Sequence, residues 1–222
     1  LGDVYKRQMQ TPAMIGAAMA LRGVLESSDQ PFEIHVIGTP SEESLDGGKN
    51  EMAAHGGFDH IDVAFVVHGS TLTQLETPSL ALIEMDVEFH GKTAHAGIAP
   101  YAGRSAVDAV TMLQTGLGLM RNHLKDSSRV SNIVLAGGTA VNSVPDFAKV
   151  KVEIRHSSMA YLESVEQWTR EIAQAAAMAT QTQVQITPVA HIYNTTINDA
   201  MGALLMELSL IHISEPTRLA LI

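Results

Sequence analysis

Two strictly alternating stretches and two amphipathic stretches between residues 84 and 190 limit the folds open to this chain. Residues 84–90 and 148–155 alternate apolar with mainly charged side chains, a period that predicts antiparallel strands with one wet face. Residues 104–124 and 162–179 place apolar side chains three and four apart, which predicts helices. Shorter strand-like runs complete the order βαββαβ. This order predicts a ferredoxin-like unit with both helices on one face of the sheet.

The stretch before this unit has a different order. Thr11 and Pro12 predict the start of a helix, because Thr is a good N-cap and Pro is tolerated at the first helical position. Its many small and apolar residues predict burial against a sheet. The apolar runs 32–37 and 61–67 predict strands, the second buried on both faces, with a short helix at 49–55 between them. Helix, strand, helix, strand is α/β order, in which ligands gather at the C-terminal ends of strands.

Two adjacent carboxylates, Glu42 and Glu43, follow the first of these runs and precede a Gly-rich turn. Their side chains diverge, so one can bind a metal ion while the other faces a metal-bound water. The alternative is a solvated pair that stabilises the N-terminus of the next helix. His68 follows the second run and therefore occupies an equivalent strand end.

Composition excludes several classes of protein. The 222 residues carry a net charge of −10 without a basic run, so nucleic acid is not an expected partner. The chain has no cysteine, so any metal ion must be held by His, Asp and Glu. We find no stretch that predicts a membrane span or a signal peptide, and a cytoplasmic location is expected by default. No Gly-rich phosphate loop follows a strand, which disfavours a nucleotide-binding protein.

Both ends of the chain look foreign to the rest. Residues 1–8 and 209–222 resemble translated sequencing-adaptor read-through, and neither has a helical or strand period linked to its neighbour. We exclude both ends from the fold prediction and expect them to pack poorly. Residues 9–208 are then expected to be a piece of a longer protein.

The combination of the Glu pair with a βαββαβ insert resembles the M20 family of metal-dependent amidohydrolases and peptidases. Within it, the chain is similar to the branch of peptidase M20 domain-containing protein 2 and the aminobenzoyl-glutamate hydrolase subunits. The motifs that carry the resemblance are Gly38-Thr39-Pro40-Ser41-Glu42-Glu43, Gly47-Gly48-Lys49, Val67-His68, Gly91-Lys92-Thr93-Ala94-His95-Ala96 and Asn142-Ser143-Val144-Pro145.

The resemblance implies an α/β fold: a partial M20-type catalytic domain with an inserted ferredoxin-like lid and dimerisation domain. The expected catalytic part comprises residues 9–83 and 191–208, and the expected lid comprises residues 84–190. A new helix is expected to start near residue 198.

The resemblance also implies roles in the catalytic part. Glu42 is similar to the family's general base, and Glu43 and His68 are similar to metal ligands. We expect these three side chains to converge in one cleft. The alternative for His68 is a satisfied core histidine.

On the lid, His95 is similar to a residue that reaches a neighbouring subunit's active site and polarises the scissile carbonyl. Asn142 is similar to a substrate-binding group and Arg155 to a carboxylate clamp. Asn142 is alternatively a turn residue, and Arg155 a residue of the polar strand face. We expect the three side chains to cluster.

The function implied is hydrolysis of an amide bond in a small carboxylate-bearing substrate: a dipeptide, an N-acyl amino acid or an aminobenzoyl-glutamate-like compound. The complete parent protein is expected to bind two divalent metal ions, Zn or Mn, and to be a homodimer. A Gly-His-Asn-type ligand motif and a final metal-binding His of the family are absent here. We therefore expect this chain to be an inactive fragment. The alternative is a non-catalytic binding or dimerisation module of the same fold.

Overall fold

The structure, a computed structural model, describes residues 2–41, 47–68 and 78–209, with side chains described within 8–208. The chain divides into two units, Leu1–Leu75 and Glu76–Ile222. The helices and strands are, in order, α1 (Gly2–Leu25), α2 (Gly48–Ala54), β1 (Ala81–His90), α3 (Ala106–Met120), β2 (Arg129–Ala136), β3 (Phe147–His156), α4 (Met159–Thr180), β4 (Gln183–Ile192) and α5 (Asp199–Ser209).

The second unit contains one four-stranded sheet in the order β2-β3-β1-β4. All neighbouring strands are antiparallel, and β1 pairs with β4 across a register shift between Glu84 and Met85. This is the strand order of a ferredoxin-like βαββαβ unit, so the predicted fold of this part is confirmed. Each strand extends the predicted one by a few residues, and α5 begins where a new helix was expected.

The core of the second unit follows from the alternation along β1 and β3. Every second residue of these strands points to the face that α3 and α4 cover. The largest buried apolar side chains of this layer are Ile83, Met85, Val87, Phe89, Val150, Val152 and Ile154 from the strands and Leu113, Leu117, Met120 and Leu162 from the helices. Burying a side chain of this size contributes roughly 1.5–3 kcal/mol, so this layer stabilises the unit.

Both core helices begin at a serine cap. The Ser105 hydroxyl accepts a hydrogen bond from the Asp108 amide at 3.2 Å, and the Ser158 hydroxyl accepts one from the Tyr161 amide at 3.4 Å. These bonds satisfy backbone donors that lack a partner inside the first turn.

None of the described helices combines the length and the apolar character that crossing a membrane requires.

The face of the sheet opposite α3 and α4 carries a ladder of opposite charges between β1 and β3. Lys149 Nζ lies 2.7 Å from Asp86 and 2.9 Å from Glu88, and Lys151 Nζ lies 2.6 Å from Glu84. These hydrogen bonds to carboxylates raise the pKa of both lysines. Glu84 is only 7% exposed, so Lys151 supplies the positive charge that a buried carboxylate requires.

The first helix does not begin where the sequence predicted. α1 begins at Gly2 and contains Pro12 in its interior, so the predicted start at Thr11 and Pro12 is wrong. Residues 6–10 are Lys, Arg, Gln, Met and Gln, which favour a helix. Their preference continues the helix through Pro12 although this residue has no amide hydrogen to donate.

The runs 32–37 and 61–67 are not strands. Within the described part of the chain, neither run forms a ladder with another strand, and Val66 is 85% exposed. Among residues 8–41 and 47–68, none is buried, so the predicted burial of α1 is also wrong. A strand buried on both faces needs strand neighbours and a covering layer on each side, and the described part of this unit has only α1 and α2.

Candidate active site

Two loops of the second unit meet where β1 ends and β3 begins. We call residues 91–105 the first loop and residues 137–146 the second loop. The Val144 amide donates to the Ala94 carbonyl at 2.8 Å, and the Ala96 amide donates to the carbonyl of residue 142 at 2.9 Å. The two loops therefore run side by side as a short backbone ladder.

The first loop depends on a glycine at its start. The Gly91 amide donates to the Asp146 carbonyl at 2.7 Å, and a side-chain carbon at Gly91 would overlap the Arg104 carbonyl oxygen. Lys92 and Arg104 exchange backbone hydrogen bonds, both at 2.8 Å. Only glycine lets the chain approach itself this closely, so Gly91 closes the base of the loop.

His95 is an exposed residue of the first loop and pairs with Ser143 of the second loop. The Gly97 amide donates a hydrogen bond to His95 Nδ1 at 3.2 Å. Because Nδ1 accepts this bond, the neutral ring carries its hydrogen on Nε2. Nε2 has no hydrogen-bond partner among the residues that the structure describes. The loop thus presents a donor to solvent.

Asn142 is the neighbour of His95 across the two loops, since its carbonyl accepts from Ala96. Its side chain is exposed, and the side-chain amide makes no hydrogen bond within the described ranges. Beside it, the Thr93 and Ser143 hydroxyls lie 3.1 Å apart. The structure therefore brings His95 and Asn142 together, as predicted.

Arg155 lies at the opposite end of the sheet. Its strand, β3, begins at Phe147 beside the two loops, and Arg155 pairs with Leu82 near the start of β1. At about 3.3 Å per residue, roughly 26 Å of β3 separates the two ends. The predicted cluster of His95, Asn142 and Arg155 is therefore wrong within one chain. Alternation along β3 indicates the face on which Arg155 lies but not its distance from the loops.

The Arg155 guanidinium is held by Glu153 on the same face of the strand. Nε donates to Oε1 at 2.7 Å and Nη2 donates to Oε2 at 2.9 Å, and this contact raises the pKa of Arg155. A guanidinium has five N–H donors. The edge formed by Nη1 and the second hydrogen of Nη2 has no acceptor among the described residues, so it can still bind a carboxylate.

Of the residues assigned to the catalytic part, Glu42 and Glu43 lie outside the described residues. The predicted convergence of these two with His68 stays a prediction. His68 is described and exposed. A side-chain carbon at Gly48 would overlap the Pro40 carbonyl oxygen, so the chain segments that flank residues 42–46 lie against each other. The described residues contain no group of three or more His, Asp or Glu side chains that could hold a metal ion.

The chain is similar to known proteins in sequence and in structure. The family described as the peptidase dimerisation domain matches residues 81–181. The Xaa-Arg dipeptidase of Mus musculus is 34% identical over 199 residues, which cover 89% of this chain and 46% of the relative. One p-aminobenzoyl-glutamate hydrolase subunit, from Escherichia coli (strain K12), is 34% identical over 175 residues, which cover 78% of this chain and 36% of the relative.

A solved structure agrees with these relatives. The aminobenzoyl-glutamate utilization protein from Klebsiella pneumoniae matches with a TM-score of 0.60 and 27% identity, covering 72% of this chain and 42% of that one. The chain belongs to the M20 family. It spans about half the length of the curated relatives it matches, or less.

In this M20 chain, the two lid motifs that carried the resemblance, residues 91–96 and 142–145, lie against each other. Two features of this region escaped prediction: the Gly97 amide on His95 and the Thr93–Ser143 hydroxyl pair. The first depends on the local turn of the first loop, and the second depends on how two loops, far apart in sequence, fold onto each other. Residue spacing carries no information about such geometry.

Proposed function

We propose that the parent protein of this chain hydrolyses an amide bond in a small, carboxylate-bearing substrate. The substrate class is a dipeptide, an N-acyl amino acid or an aminobenzoyl-glutamate-like compound. The observation that carries the proposal is the exposed Nε2–H donor of His95 beside the free amide of Asn142, within the region that matches the family. The relatives named as a dipeptidase and a hydrolase support the reaction class.

The two divalent ions implied by the resemblance, Zn or Mn, belong to the complete protein in this proposal. Glu43 and His68 would be two of the ligands there. The described residues do not by themselves fit such a site, since no three carboxylates or imidazoles among them converge. The proposed steps are therefore those of this chain's own side chains.

The proposed chemistry divides between a base and two donors. Glu42 accepts a proton from the attacking water and later delivers it to the leaving amine. His95 Nε2–H donates to the carbonyl oxygen of the substrate as negative charge develops on it. The Asn142 side-chain amide lies next to this donor and binds the same end of the substrate.

Arg155 binds the substrate carboxylate in this proposal. The unoccupied edge of its guanidinium can form two parallel hydrogen bonds to a carboxylate. Glu153 holds the opposite edge of the guanidinium and so fixes the direction in which the unoccupied edge points. Because Arg155 lies far from His95 in one chain, both residues can act on one substrate only if a second subunit takes part.

The sheet has one edge suited to pairing with a second subunit. β4 contains Pro188, which has no backbone N–H to donate and therefore discourages pairing with another strand. β2 has no proline or lysine and exposes Ile133, which is 60% exposed, together with Val134 and Leu135. We therefore assign β2 as the edge through which two copies pair antiparallel about a two-fold axis.

This pairing would unite the two ends of the lid. β2 begins at Arg129, whose neighbour on β3 is Arg155, and it ends at Ala136, just before the loop that holds Asn142. Antiparallel pairing sets the end of one β2 beside the start of the other. The end of β2 in one subunit, just before the loop that holds Asn142, then lies about two strand spacings, or roughly 10 Å, from the Arg155 strand of its partner. The end of β1, just before the His95 loop, lies about four spacings, or roughly 19 Å, from the same strand.

The test of the catalytic assignment uses the full-length parent protein. Glu42→Gln should lower kcat by about 10²- to 10⁴-fold, the contribution of a general base, and leave the bound metal content unchanged. Glu51→Gln is the matched control, because Glu51 is an exposed carboxylate of α2 whose ion-pair partner is His55. Turnover by the Glu42 variant equal to that of the control would contradict the assignment.

A non-catalytic dimerisation module is the second candidate for this chain. The buried core and the family match both lie in the second unit, which favours a structural role. Metal content of the full-length parent separates the two candidates. An enzyme retains tightly bound metal and loses activity to chelators, whereas a dimerisation module does neither.

A further inference from the structure

A cavity of about 360 Å³ lies between the end of α3 and the start of β2. Three basic residues, Arg121, Lys125 and Arg129, line it together with one acidic residue, Asp126. This grouping stands out in a chain whose net charge is −10.

The three cations are held in place by uncharged groups. Arg121 Nη2 donates to the Val130 carbonyl at 2.8 Å, and Arg129 Nη1 donates to the Ser128 carbonyl at 2.8 Å. Lys125 Nζ lies 4.5 Å from the centre of the Tyr161 ring. These contacts restrict the side chains without cancelling their charge.

Four other cations of the same unit are neutralised by carboxylates. Lys149, Lys151, Arg155 and Arg170 each have a carboxylate oxygen at 2.6–2.7 Å. Among the described residues, no carboxylate forms an ion pair with any of the three cations at the cavity. The sequence therefore provides acidic partners along the strands and α4 but not here.

We infer that this cavity binds a small oxyanion with two negative charges, such as inorganic phosphate or the phosphate group of a metabolite. Three positive charges less the one negative charge of Asp126 leave two positive charges at the cavity, which a dianion balances. Guanidinium groups match the geometry of phosphate oxygens through pairs of N–H donors. Carbonyl oxygens already anchor one N–H of each arginine, so less side-chain freedom is lost when an anion binds.

The backbone supports the same site. Ser127 between these cations has a left-handed backbone with φ of 68°, and the Lys125 amide donates to the Tyr161 hydroxyl at 2.9 Å. The Ser128 hydroxyl donates to the Lys125 carbonyl at 2.7 Å. These bonds tie the turn to itself and to α4, so the cations are carried on a restrained segment.

The experiment is a titration of the 222-residue chain with inorganic phosphate at about pH 8, followed by the NMR shifts of the amides of residues 125–130. Sodium chloride keeps the ionic strength constant, because exposed charges are screened by salt. We expect saturable binding, with acetate binding at least about tenfold more weakly than phosphate because it carries one charge fewer. Absence of saturation, or equal binding of acetate, would overturn the inference.

Variants locate the site. Arg129→Gln and Lys125→Gln change exposed side chains, so both variants should fold, and each should weaken phosphate binding about tenfold or more. Lys92→Gln removes an exposed cation of the same unit outside the cavity and is the control. Equal weakening by the control would reduce the effect to net charge and contradict the site. Unchanged binding in both cavity variants would contradict it as well.

Discussion

The two units of the chain bury their apolar side chains to very different extents. The second unit has a continuous core of strand and helix side chains, many of them without exposed surface. In the first unit, none of the residues 8–41 and 47–68 is buried, although the runs 32–37 and 61–67 are as apolar as the strands of the sheet. Apolar content therefore does not produce burial unless the same unit supplies the surface that covers it.

The largest expected difference between the units comes from one substitution made in each. Phe89→Ala removes a side chain with 0% exposure from the core of the second unit and should lower the free energy of unfolding by about 3–5 kcal/mol. Phe65→Ala removes a side chain that is 54% exposed in the first unit and should cost about 1 kcal/mol or less. Urea unfolding followed by the fluorescence of Trp168, the one tryptophan of the chain, measures the first value, and circular dichroism measures both. Equal costs would break the comparison.

Removing one ion pair from each unit should show the same contrast between the units, with a smaller change in the free energy of unfolding. Lys151→Met leaves the buried Glu84 carboxylate without its partner and should lower the free energy of unfolding by about 1–3 kcal/mol. Arg22→Met removes the exposed Arg22–Glu26 pair of α1 and should change it by about 0.5 kcal/mol or less, as is usual for surface pairs. If Arg22→Met lowered the free energy of unfolding as much as Lys151→Met does, the exposed ion pair of α1 would stabilise its unit as strongly as the buried pair stabilises the sheet. That result would contradict the contrast between the two units.

The smallest expected effect is a pH dependence confined to the second unit. Carboxylate partners raise the pKa of Lys149 and Lys151 above the ordinary 10.5. The stabilisation that these two lysines contribute through their carboxylate partners is therefore complete below about pH 10.5. It is lost as the pH rises through the folded-state pKa. The unfolding midpoint of the wild-type chain, measured from about pH 9 upwards, should decrease once the pH exceeds about 10.5, and Lys151→Met should reduce this decrease. A midpoint that rises with pH would contradict the assigned sign.

The sequence predicted the second unit well for a physical reason. In 84–90 and 148–155 a period of two identifies both the strand and its buried face, and the helices at 104–124 and 162–179 supply the matching apolar faces. Each pattern thus predicts its own partner within the unit. A continuous apolar run such as 61–67 indicates burial on both faces but does not specify what provides it, so the predicted strand failed.

The candidate site was predictable in the same uneven way. His95 and Asn142 were expected to lie close together, and they do. Each follows a strand, β1 or β2, that terminates at the same end of the sheet. Arg155 was expected with them because the resemblance assigns all three to substrate binding, but its polar strand face says nothing about its position along the strand. The tautomer of His95, set by the Gly97 amide, had no counterpart in the sequence pattern.

In the proposed function, one active site uses His95 of one subunit and Arg155 of the other. Mixed dimers of the full-length parent test it directly. His95→Ala and Arg155→Ala should each be nearly inactive alone, while an equal mixture, dissociated and reassociated, should regain about a quarter of wild-type turnover. Half of randomly formed dimers are mixed, and each mixed dimer has one intact site. A mixture no more active than its two parent variants would contradict the shared site and place both residues in the same subunit's active site.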